Sequence, residues 1–567
     1  MYIRNYYRRF GAVSLLFVLF FLFCAARLIF IQFFRSNYLA NIANKQHNLY
    51  VELEPRRGTI YDSNFRPQAF NIAVDSVYAS PNEISDKDKE IIIRKLSFAL
   101  QLDHAYLKDR LSRKKSFIWL ARKITPQQAD AVKALNIKGI GMVKESKRCY
   151  PNGYLASHIL GFAGLDNAGL DGLEMYYDKY LKGEPGWALF LRDARQKKLD
   201  LWDRMVLPKD GYDLILTIDE VIQYIAEREL DKAFKSNHAK GASIVVMDPH
   251  TGAILALANR PSFDLNEYRD ATKEIMRDRA ITDLFEPGSV FKIVTASAAL
   301  DEKKVSEEDR FFCENGSYRV ANHILHDHQP HGWLTFTGVI EQSSNIGTCK
   351  IAQLLGANEV YRYIRLFGFG GKSGVDLPGE ISGSIKEPRF WSKTSIAAVP
   401  MGQEVGVTAL QLVSAISAIA NGGQLMKPYV VKEIRDRYAE SIKTFSPQMK
   451  NKVISLDTAA RIRKILIGVI EEGTGRMAKV EGLSFAGKTG TAQKLEDNGA
   501  YSHNKFVASF IGFAPAEDPK LAIAVVVDEP HPYYFGGVVS APVFKNVALE
   551  ALRYLKSKEP LVLTQDE

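Results

Sequence analysis

Ser289 and Lys292 are separated by about one helical turn, a spacing at which a lysine can activate a serine hydroxyl. They lie in the run FEPGSVFKIVTASAAL, in which Pro287 and Gly288 interrupt the chain and an apolar helical pattern follows at once. Residues three apart share one face of a helix. Burial in apolar surroundings would lower the pKa of Lys292 enough for its amine to accept the serine proton. The pattern predicts a serine nucleophile that needs no histidine.

A second pattern of reactive residues lies further along the chain. Ser343 and Asn345 form a Ser-x-Asn pattern just before another apolar helical run.

The third pattern is Lys488-Thr489-Gly490-Thr491, on a run that is typical of a strand. Gly490 would let a substrate backbone approach closely, and Lys488 would present a fixed positive charge.

Each pattern also occurs elsewhere in the chain, so none is specific alone. The other copies are Ser112/Lys115 and Ser502/Lys505, Ser80/Asn82 and Ser502/Asn504, and Lys372-Ser373-Gly374. The order and context distinguish the set. Ser-x-x-Lys opens a helix, Ser-x-Asn follows about 54 residues later, and Lys-Thr-Gly lies on a strand about 145 residues after that.

The elements that must position these residues begin after about Lys209, where we place a domain boundary. YDLILTID predicts a strand, with Thr217 and Asp219 as caps for the helix EVIQYIAERELDKAF. GASIVVMDPHTGAILALAN predicts a hairpin, and GLSFAGKTGTAQK, KFVASFIGFAP and KLAIAVVVDEP predict three strands near the end. Strands at both ends of this region predict one antiparallel sheet covered by the helices between them.

Composition excludes several classes of protein. The chain has 567 residues with 46% hydrophobic and 25% charged residues, which indicates more than one globular unit and excludes a disordered chain. The net charge of +9 is spread along the chain, so nucleic-acid binding is not expected. The cysteines Cys24, Cys149, Cys313 and Cys349 form no CxxC pair, and no metal, thiol or cofactor chemistry is indicated. At most one disulfide could form among Cys149, Cys313 and Cys349, and the sequence does not decide whether it does.

A cluster of four histidines lies in NHILHDHQPHGW, at residues 323, 326, 328 and 331. Their spacing follows no helical face, and Pro330 and Gly332 indicate a loop. We therefore expect a polar loop that borders the cleft ahead of Ser343, and no metal site.

The amino terminus predicts a membrane anchor. Residues 11–34 are almost wholly apolar and long enough to cross the hydrocarbon core. Arg4, Arg8 and Arg9 precede them and favour a cytoplasmic tail at residues 1–10, with the rest of the chain outside. The alternative, a cleaved signal peptide, is disfavoured because bulky side chains continue through Phe34.

With all three motifs in order, the chain resembles the penicillin-binding transpeptidases, and specifically the class B high-molecular-mass proteins. RRGTIYDSNFRPQA resembles a class B pedestal motif, although Ser63 and Phe65 replace the usual Arg and Gly. The resemblance implies an α+β fold: a transpeptidase domain like that of the serine β-lactamases, an antiparallel sheet with helices on both faces. The expected domains are an anchor at 11–34, an elongated mixed α/β non-catalytic pedestal at 35–209, the transpeptidase domain at 210–557 and a tail at 558–567.

The resemblance also implies roles for the motif residues. Ser289 would attack the penultimate D-Ala of a peptidoglycan stem peptide and release the terminal D-Ala, and an amine of a second stem would resolve the acyl-enzyme. Lys292 would be the base, and Ser343 with Lys488 would carry the proton to the leaving amine. Backbone N–H groups of Ser289 and Thr491 would form the oxyanion hole. Substrate binding would fall to the remaining motif residues: Asn345, Thr489, Gly490 and Thr491. A β-lactam would acylate Ser289.

The motif SSNIGTCKIA favours the division-specific, penicillin-binding protein 3 type over the elongation type. The implied partners are stem peptides, β-lactams, membrane lipid, a membrane glycan polymerase and division-complex proteins. The implied location is the bacterial cytoplasmic membrane, with the catalytic domain outside it. Three alternatives stay open: an elongation-specific transpeptidase, a β-lactam-hydrolysing or sensing acyl-enzyme, and a catalytically idle scaffold.

Overall fold

The computed structural model describes residues 2–39, 48–113, 115, 117–192, 198–496 and 499–558. The chain forms two units: Met1–Arg56 with Gly183–Asp210, and Arg57–Lys182 with Gly211–Glu567. Apart from Lys558, the predicted tail at 558–567 lies outside the described residues.

The helices and strands have the following bounds. The helices are α1 (Tyr2–Ile29), α2 (Lys89–Leu100), α3 (His104–Ser112), α4 (Pro126–Leu135), α5 (Ser157–Leu160), α6 (Gly172–Tyr176), α7 (Asp178–Leu181), α8 (Glu220–Ser236), α9 (Lys273–Met276), α10 (Arg279–Thr282), α11 (Lys292–Asp301), α12 (Phe336–Glu341), α13 (Asn345–Leu355), α14 (Ala357–Leu366), α15 (Ser395–Ala398), α16 (Ala409–Ala420), α17 (Leu456–Glu471), α18 (Gly536–Val539) and α19 (Ala541–Lys558). The strands are β1 (Asn48–Leu53), β2 (Ile60–Tyr61), β3 (Pro67–Ala79), β4 (Ile118–Ile124), β5 (Ile140–Cys149), β6 (Gly186–Arg192), β7 (Lys198–Val206), β8 (Asp213–Leu216), β9 (Gly241–Met247), β10 (Ile254–Arg260), β11 (Arg310–Phe312), β12 (Ser317–Val320), β13 (His323–His326), β14 (Trp333–Thr335), β15 (Ser384–Ile385), β16 (Val405–Gly406), β17 (Gln424–Met426), β18 (Val431–Arg435), β19 (Ser441–Thr444), β20 (Met449–Lys452), β21 (Ala486–Leu495), β22 (Tyr501–Ala514) and β23 (Leu521–Asp528).

The first unit contains the apolar amino-terminal helix. A π-helical turn at Phe30–Phe34 continues α1, and Tyr7–Phe34 has a mean hydropathy of 2.6. Within the described residues this is the one helix long and apolar enough to cross a membrane, and it covers the segment predicted as the anchor. Strands β1, β6 and β7 form a three-stranded sheet in the same unit.

The second unit contains a five-stranded sheet in the order β10-β9-β23-β22-β21. All four pairings are antiparallel, and the predicted hairpin joins β9 to β10. The sheet, which we call the catalytic sheet because β21 carries the predicted Lys-Thr-Gly motif, therefore combines strands from opposite ends of the region after Lys209, as the sequence predicts. Strand β21, which carries Lys488, lies at an edge and has a neighbour on one side only.

Helices cover both faces of this sheet because successive side chains of a strand point to opposite faces. Ile244 and Val246 face the cluster formed with α8 and α19, whereas Val245 and Met247 face the larger cluster that includes α16. Every residue of α16 is buried. The predicted α+β fold with helices on both faces is confirmed.

A second, mixed sheet has the order β19-β18-β8-β2-β3-β4, with β5 also paired to β3. The predicted YDLILTID strand is β8, and it lies in this sheet, parallel to β2, rather than in the catalytic sheet. Of the two predicted caps, Asp219 accepts from the backbone N–H of Val221 and begins α8. The Thr217 cap is wrong, because its hydroxyl donates to the carbonyl of Ile254 instead.

Candidate active site

Ser289 lies on a tight helical turn, Gly288–Phe291, that leads directly into α11. No side chain caps this turn, so Ser289 does not act as a helix cap. Gly288 has φ +59°, and a Cβ on it would lie 2.9 Å from the carbonyl oxygen of Thr491. A side chain at residue 288 would therefore push the Ser289 segment away from β21.

Lys292 begins α11, and its side chain is fully buried. Its Nζ donates to three oxygens: the backbone carbonyl of Ser343 at 2.5 Å, Oδ1 of Asn345 at 2.8 Å and Oγ of Ser343 at 3.3 Å. Burial lowers the pKa of Lys292 to about 7, against a smaller opposing effect of the Asp327 carboxylate. A substantial fraction of this amine is therefore neutral near pH 7 and able to accept a proton.

Lys488 reaches the same hydroxyl from the opposite wall of the cleft. Its Nζ lies 2.9 Å from Oγ of Ser343, and its side chain is fully buried. Burial, and next the positive charge of Lys292, lower the pKa of Lys488. The Ser343 hydroxyl thus joins two buried amines into one hydrogen-bonded chain.

Ser343 and Asn345 flank the start of α13. Ser343 has φ +60°, a left-handed conformation that turns the chain into the cleft. The residue between them, Ser344, caps the helix by accepting from the Gly347 N–H. Asn345 accepts from Lys292 and donates through Nδ2 to the carbonyl of His326. The helix start thus fixes the hydroxyl and the amide on either side of its cap.

The strand residues that follow Lys488 lie along the free edge of β21. The Thr489 hydroxyl is 2.8 Å from that of Thr474, and the Thr491 hydroxyl accepts from the Gly536 N–H at 3.0 Å. For Gly490 the structure shows a different constraint from the predicted close approach of substrate. A Cβ there would lie 2.8 Å from the Pro287 carbonyl oxygen, so the glycine lets β21 pack against the Ser289 segment.

Asp327 is a residue that the sequence analysis did not select. Its carboxylate accepts from the Ser344 hydroxyl at 2.6 Å and from the backbone N–H groups of Asn345 at 2.5 Å and Ile346 at 3.0 Å. A carboxylate at a helix start is favourable because the unpaired N–H groups there carry partial positive charge. Asp327 thereby holds the loop that carries Ser343 and Asn345.

The histidine-rich segment differs from the predicted loop in part. Residues His323–His326 form strand β13, which pairs with β12, and the chain leaves the strand at Asp327. The signal that would have identified Asp327 is its place among these histidines just before the Ser-x-Asn pattern. Thr474 lies in EEGTGRMAKV, a stretch in which no residue pattern distinguishes it.

A cavity of about 960 Å³ begins beside the Ser289 segment. Its lining includes Glu286, Glu404, Gln493 and Tyr501. Glu286 accepts from the Glu404 N–H, and burial raises the pKa of its carboxyl. This cavity is next to the Ser289 segment, but Ser289 itself is not among its lining residues.

Two family models match the chain. Residues 242–549 match the penicillin binding protein transpeptidase domain, and residues 52–216 match the penicillin-binding protein dimerisation domain. The first match contains every residue of the three motifs.

Curated relatives are similar over nearly the whole chain. Stage V sporulation protein D of Bacillus subtilis is 39% identical over 95% of this chain and 85% of the relative. The probable peptidoglycan D,D-transpeptidase PenA of Neisseria gonorrhoeae is 35% identical over 94% of this chain and 90% of the relative. The peptidoglycan D,D-transpeptidase FtsI of Escherichia coli K12 is 31% identical over 96% and 91%.

Solved structures agree with these relatives. Penicillin binding protein 3 of Mycobacterium tuberculosis in complex with aztreonam has a TM-score of 0.70 and 28% identity, over 89% of this chain and 97% of that one. Its complex with ampicillin also has a TM-score of 0.70. The chain therefore belongs to the class B penicillin-binding proteins of the penicillin-binding protein 3 type.

Proposed function

We propose that this protein is a membrane-anchored peptidoglycan D,D-transpeptidase that cross-links stem peptides through an acyl-enzyme on Ser289. The hydrogen-bonded chain Lys292–Ser343–Lys488, whose first member begins the helix that follows the Ser289 turn, is the observation that carries the proposal. Two buried amines with lowered pKa, joined by one hydroxyl, form a proton path that ordinary packing does not require. The transpeptidase names of the curated relatives support the same reaction.

In the first half-reaction, Lys292 accepts the proton of Ser289 as Oγ attacks the carbonyl carbon of the penultimate D-Ala. The bond from that carbon to the nitrogen of the terminal D-Ala then breaks, and a proton from the Ser343–Lys488 side passes to the leaving amine. The terminal D-Ala departs and an ester remains on Ser289.

In the second half-reaction, the amine of another stem peptide attacks the ester. A new peptide bond forms, the amine loses a proton to the same path, and Ser289 recovers its hydroxyl hydrogen. Water in place of the amine would give hydrolysis, so the enzyme must hold the second stem better than it admits water.

Two backbone N–H groups, those of Ser289 and Thr491, are proposed to bind the oxyanion. Such donors are most effective when they are fixed before the reaction. The tight turn at Gly288–Phe291 and the edge strand β21 supply fixed positions for them. A peptide that lies along the free edge of β21 would also find unpaired backbone groups there.

The remaining contacts to substrate are assigned by chemistry. Asn345 would hold the peptide backbone through its amide, and Lys488 with Thr489 and Thr491 would bind the terminal carboxylate. Gly490 would keep this stretch of strand close to the nucleophile. β-Lactams would acylate Ser289 because their strained amide mimics the D-Ala-D-Ala end, and relatives solved with aztreonam and ampicillin support this.

We further propose the cellular setting. The apolar helix Tyr7–Phe34 would anchor the chain in the cytoplasmic membrane, with residues 1–10 inside and the catalytic region outside. A pedestal at 35–209 and a transpeptidase domain at 210–557 would act in septal wall synthesis, beside a glycan polymerase and division proteins. Similarity to FtsI supports the division role. Filaments after depletion would support it, whereas round cells would favour elongation.

Covalent labelling tests the reaction. Full-length protein in detergent is incubated with a fluorescent penicillin, and the modified peptide is identified by mass. We expect label on Ser289, slow release, and no label in Ser289→Ala. If folded wild-type protein is never acylated, the catalytic proposal is wrong and an idle scaffold is favoured. Rapid release of hydrolysed penicillin would instead favour a β-lactam hydrolase.

A further inference from the structure

Two aromatic rings from different walls of the cleft are in contact. His328 follows Asp327, whose carboxylate holds the Ser343 loop, and Phe535 precedes Gly536, which contacts Thr491 of β21. Their ring centroids are 5.0 Å apart with an interplanar angle of 20°, so the rings are stacked. We call this pair the cross-cleft stack.

Residues next to each ring in the chain are hydrogen-bonded to a residue of the proposed substrate site. On one wall, the His326 carbonyl accepts from the Asn345 amide, and Asp327 accepts from the Asn345 N–H. On the other wall, the Gly536 N–H donates to the Thr491 hydroxyl. The cross-cleft stack therefore bridges the two walls where a substrate would lie between Asn345 and Thr491.

Two further aromatic rings connect Phe535 to the sheet. The ring centroids of Tyr534 and Phe535 are 4.4 Å apart. Tyr534 also stacks on Phe506 of β22, with ring centroids 4.1 Å apart. These rings form a continuous row that starts on the catalytic sheet and ends at His328.

The cross-cleft stack itself lies at the surface and not in the core. Phe535 is 36% exposed and His328 is also exposed. Because both residues are exposed, the contact between the His328 and Phe535 rings is not part of the close packing that holds the core. The stack can therefore open without disturbing the core.

We propose that the cross-cleft stack is a gate: His328 and Phe535 must separate before an acylating ligand can occupy the cleft between Asn345 and Thr491. This inference rests on the proposed function of the site. A closed gate lowers the fraction of enzyme that is competent to bind, and apparent affinity falls by the same fraction. Removal of either ring should therefore restore the apparent affinity that the closed gate lowers.

The first test measures the second-order rate of Ser289 acylation by a fluorescent penicillin in the full-length protein. We expect Phe535→Ala and His328→Ala each to raise this rate, roughly two- to tenfold for the loss of one aromatic pair. The double variant should gain no more than either single variant, and His328→Phe should keep the wild-type rate.

Matched controls come from the same segments. Tyr533 is 61% exposed beside Phe535, and His323 is exposed on the segment of His328. Tyr533→Ala and His323→Ala should leave the rate unchanged. Lower rates in Phe535→Ala and His328→Ala would overturn the gate and make the rings a binding surface, and unchanged rates would also overturn it.

A second test locks the gate. In the variant with His328→Cys and Phe535→Cys, a short thiol-bridging reagent, dibromobimane, should join the two segments in the ligand-free protein, as mass analysis can verify. We expect the bridged protein to lose acylation while the unbridged variant keeps it. Absence of the bridge, or acylation at the unbridged rate, contradicts the proposal. Label on Ser289 in the wild type leaves the proposed function intact in either case.

Discussion

The side-chain nitrogen of Lys488 lies 2.9 Å from the hydroxyl oxygen of Ser343, although 145 residues separate them along the chain. Lys292 approaches the same oxygen from the other side at 3.3 Å. Two amines so close together in a buried site disfavour each other's positive charge. Burial is the main cause that lowers the pKa of both amines, and the positive charge of Lys292 lowers the pKa of Lys488 further, so Lys292 is partly neutral near pH 7.

The first prediction concerns pH. Because burial lowers the pKa of Lys292 to about 7, its amine is protonated below that pH and cannot accept the serine proton. The acylation rate should rise between pH 6 and pH 8 with a midpoint near 7, as stopped-flow labelling with a fluorescent penicillin would measure. A rate that is flat over this range would exclude Lys292 as the base.

The second prediction concerns the shared hydroxyl. Ser343→Ala removes the link between Lys292 and Lys488, and loss of a proton-transfer group costs roughly 100-fold or more in rate. We expect acylation to fall by about that factor with little loss of thermal stability. Ser297→Ala is the matched control, because Ser297 is buried on α11 and its hydroxyl has no hydrogen-bond partner among the described residues. Equal rates in the two variants would contradict the assigned path.

The third prediction distinguishes two roles of Asp327: an electrostatic effect on Lys292 and a structural effect on the loop that carries Ser343. Its carboxylate raises the pKa of Lys292 against the effect of burial. Asp327→Asn should slow acylation because the Ser343 loop loses the carboxylate that holds it. It should also move the pH midpoint of acylation to lower pH, because the carboxylate no longer raises the pKa of Lys292. Measured pH profiles would decide between the two roles. A slower variant with an unchanged midpoint would mean that Asp327 acts only through the fold.

The fourth prediction concerns stability and Asp278, which accepts from the backbone N–H of Ala280 at the start of α10. Burial raises the pKa of its carboxyl to about 7, and its Oδ2 is buried with no hydrogen-bond partner in the part of the chain that the structure describes. The folded state binds this proton more tightly than the unfolded state. The contribution of Asp278 to the free energy of unfolding is therefore present below about pH 4 and is lost as pH rises to about 7.

In Asp278→Asn the group cannot ionise. We expect its melting temperature to exceed that of the wild type at pH 8 by more than at pH 5, as differential scanning fluorimetry would show. Asp270→Asn, on the exposed surface before α9, is the control and should change neither value much. An equal difference at both pH values would show that Asp278 does not titrate in this range.

The sequence by itself determined the chemistry and its order. A serine one turn before a lysine, a Ser-x-Asn pattern and a Lys-Thr-Gly strand are local patterns, and so are the apolar anchor and the alternating strands of the catalytic sheet. Such patterns can be recognised in the sequence because the periodicity of a helix or strand depends only on residues that are close together in the chain. Asp219 as a helix cap belongs to the same class.

Only the tertiary structure decided which distant residues complete the site. Lys292 directs its hydrogen bonds to Ser343 and Asn345 because α11 packs beside α13, and Gly490 faces the Pro287 carbonyl because β21 lies against the Ser289 turn. Strand β8 joined the mixed sheet for the same reason: strand pairing is a long-range choice that a strand's own residues do not encode. Asp327 and the contact of His328 with Phe535 likewise depend on segments far apart in the chain.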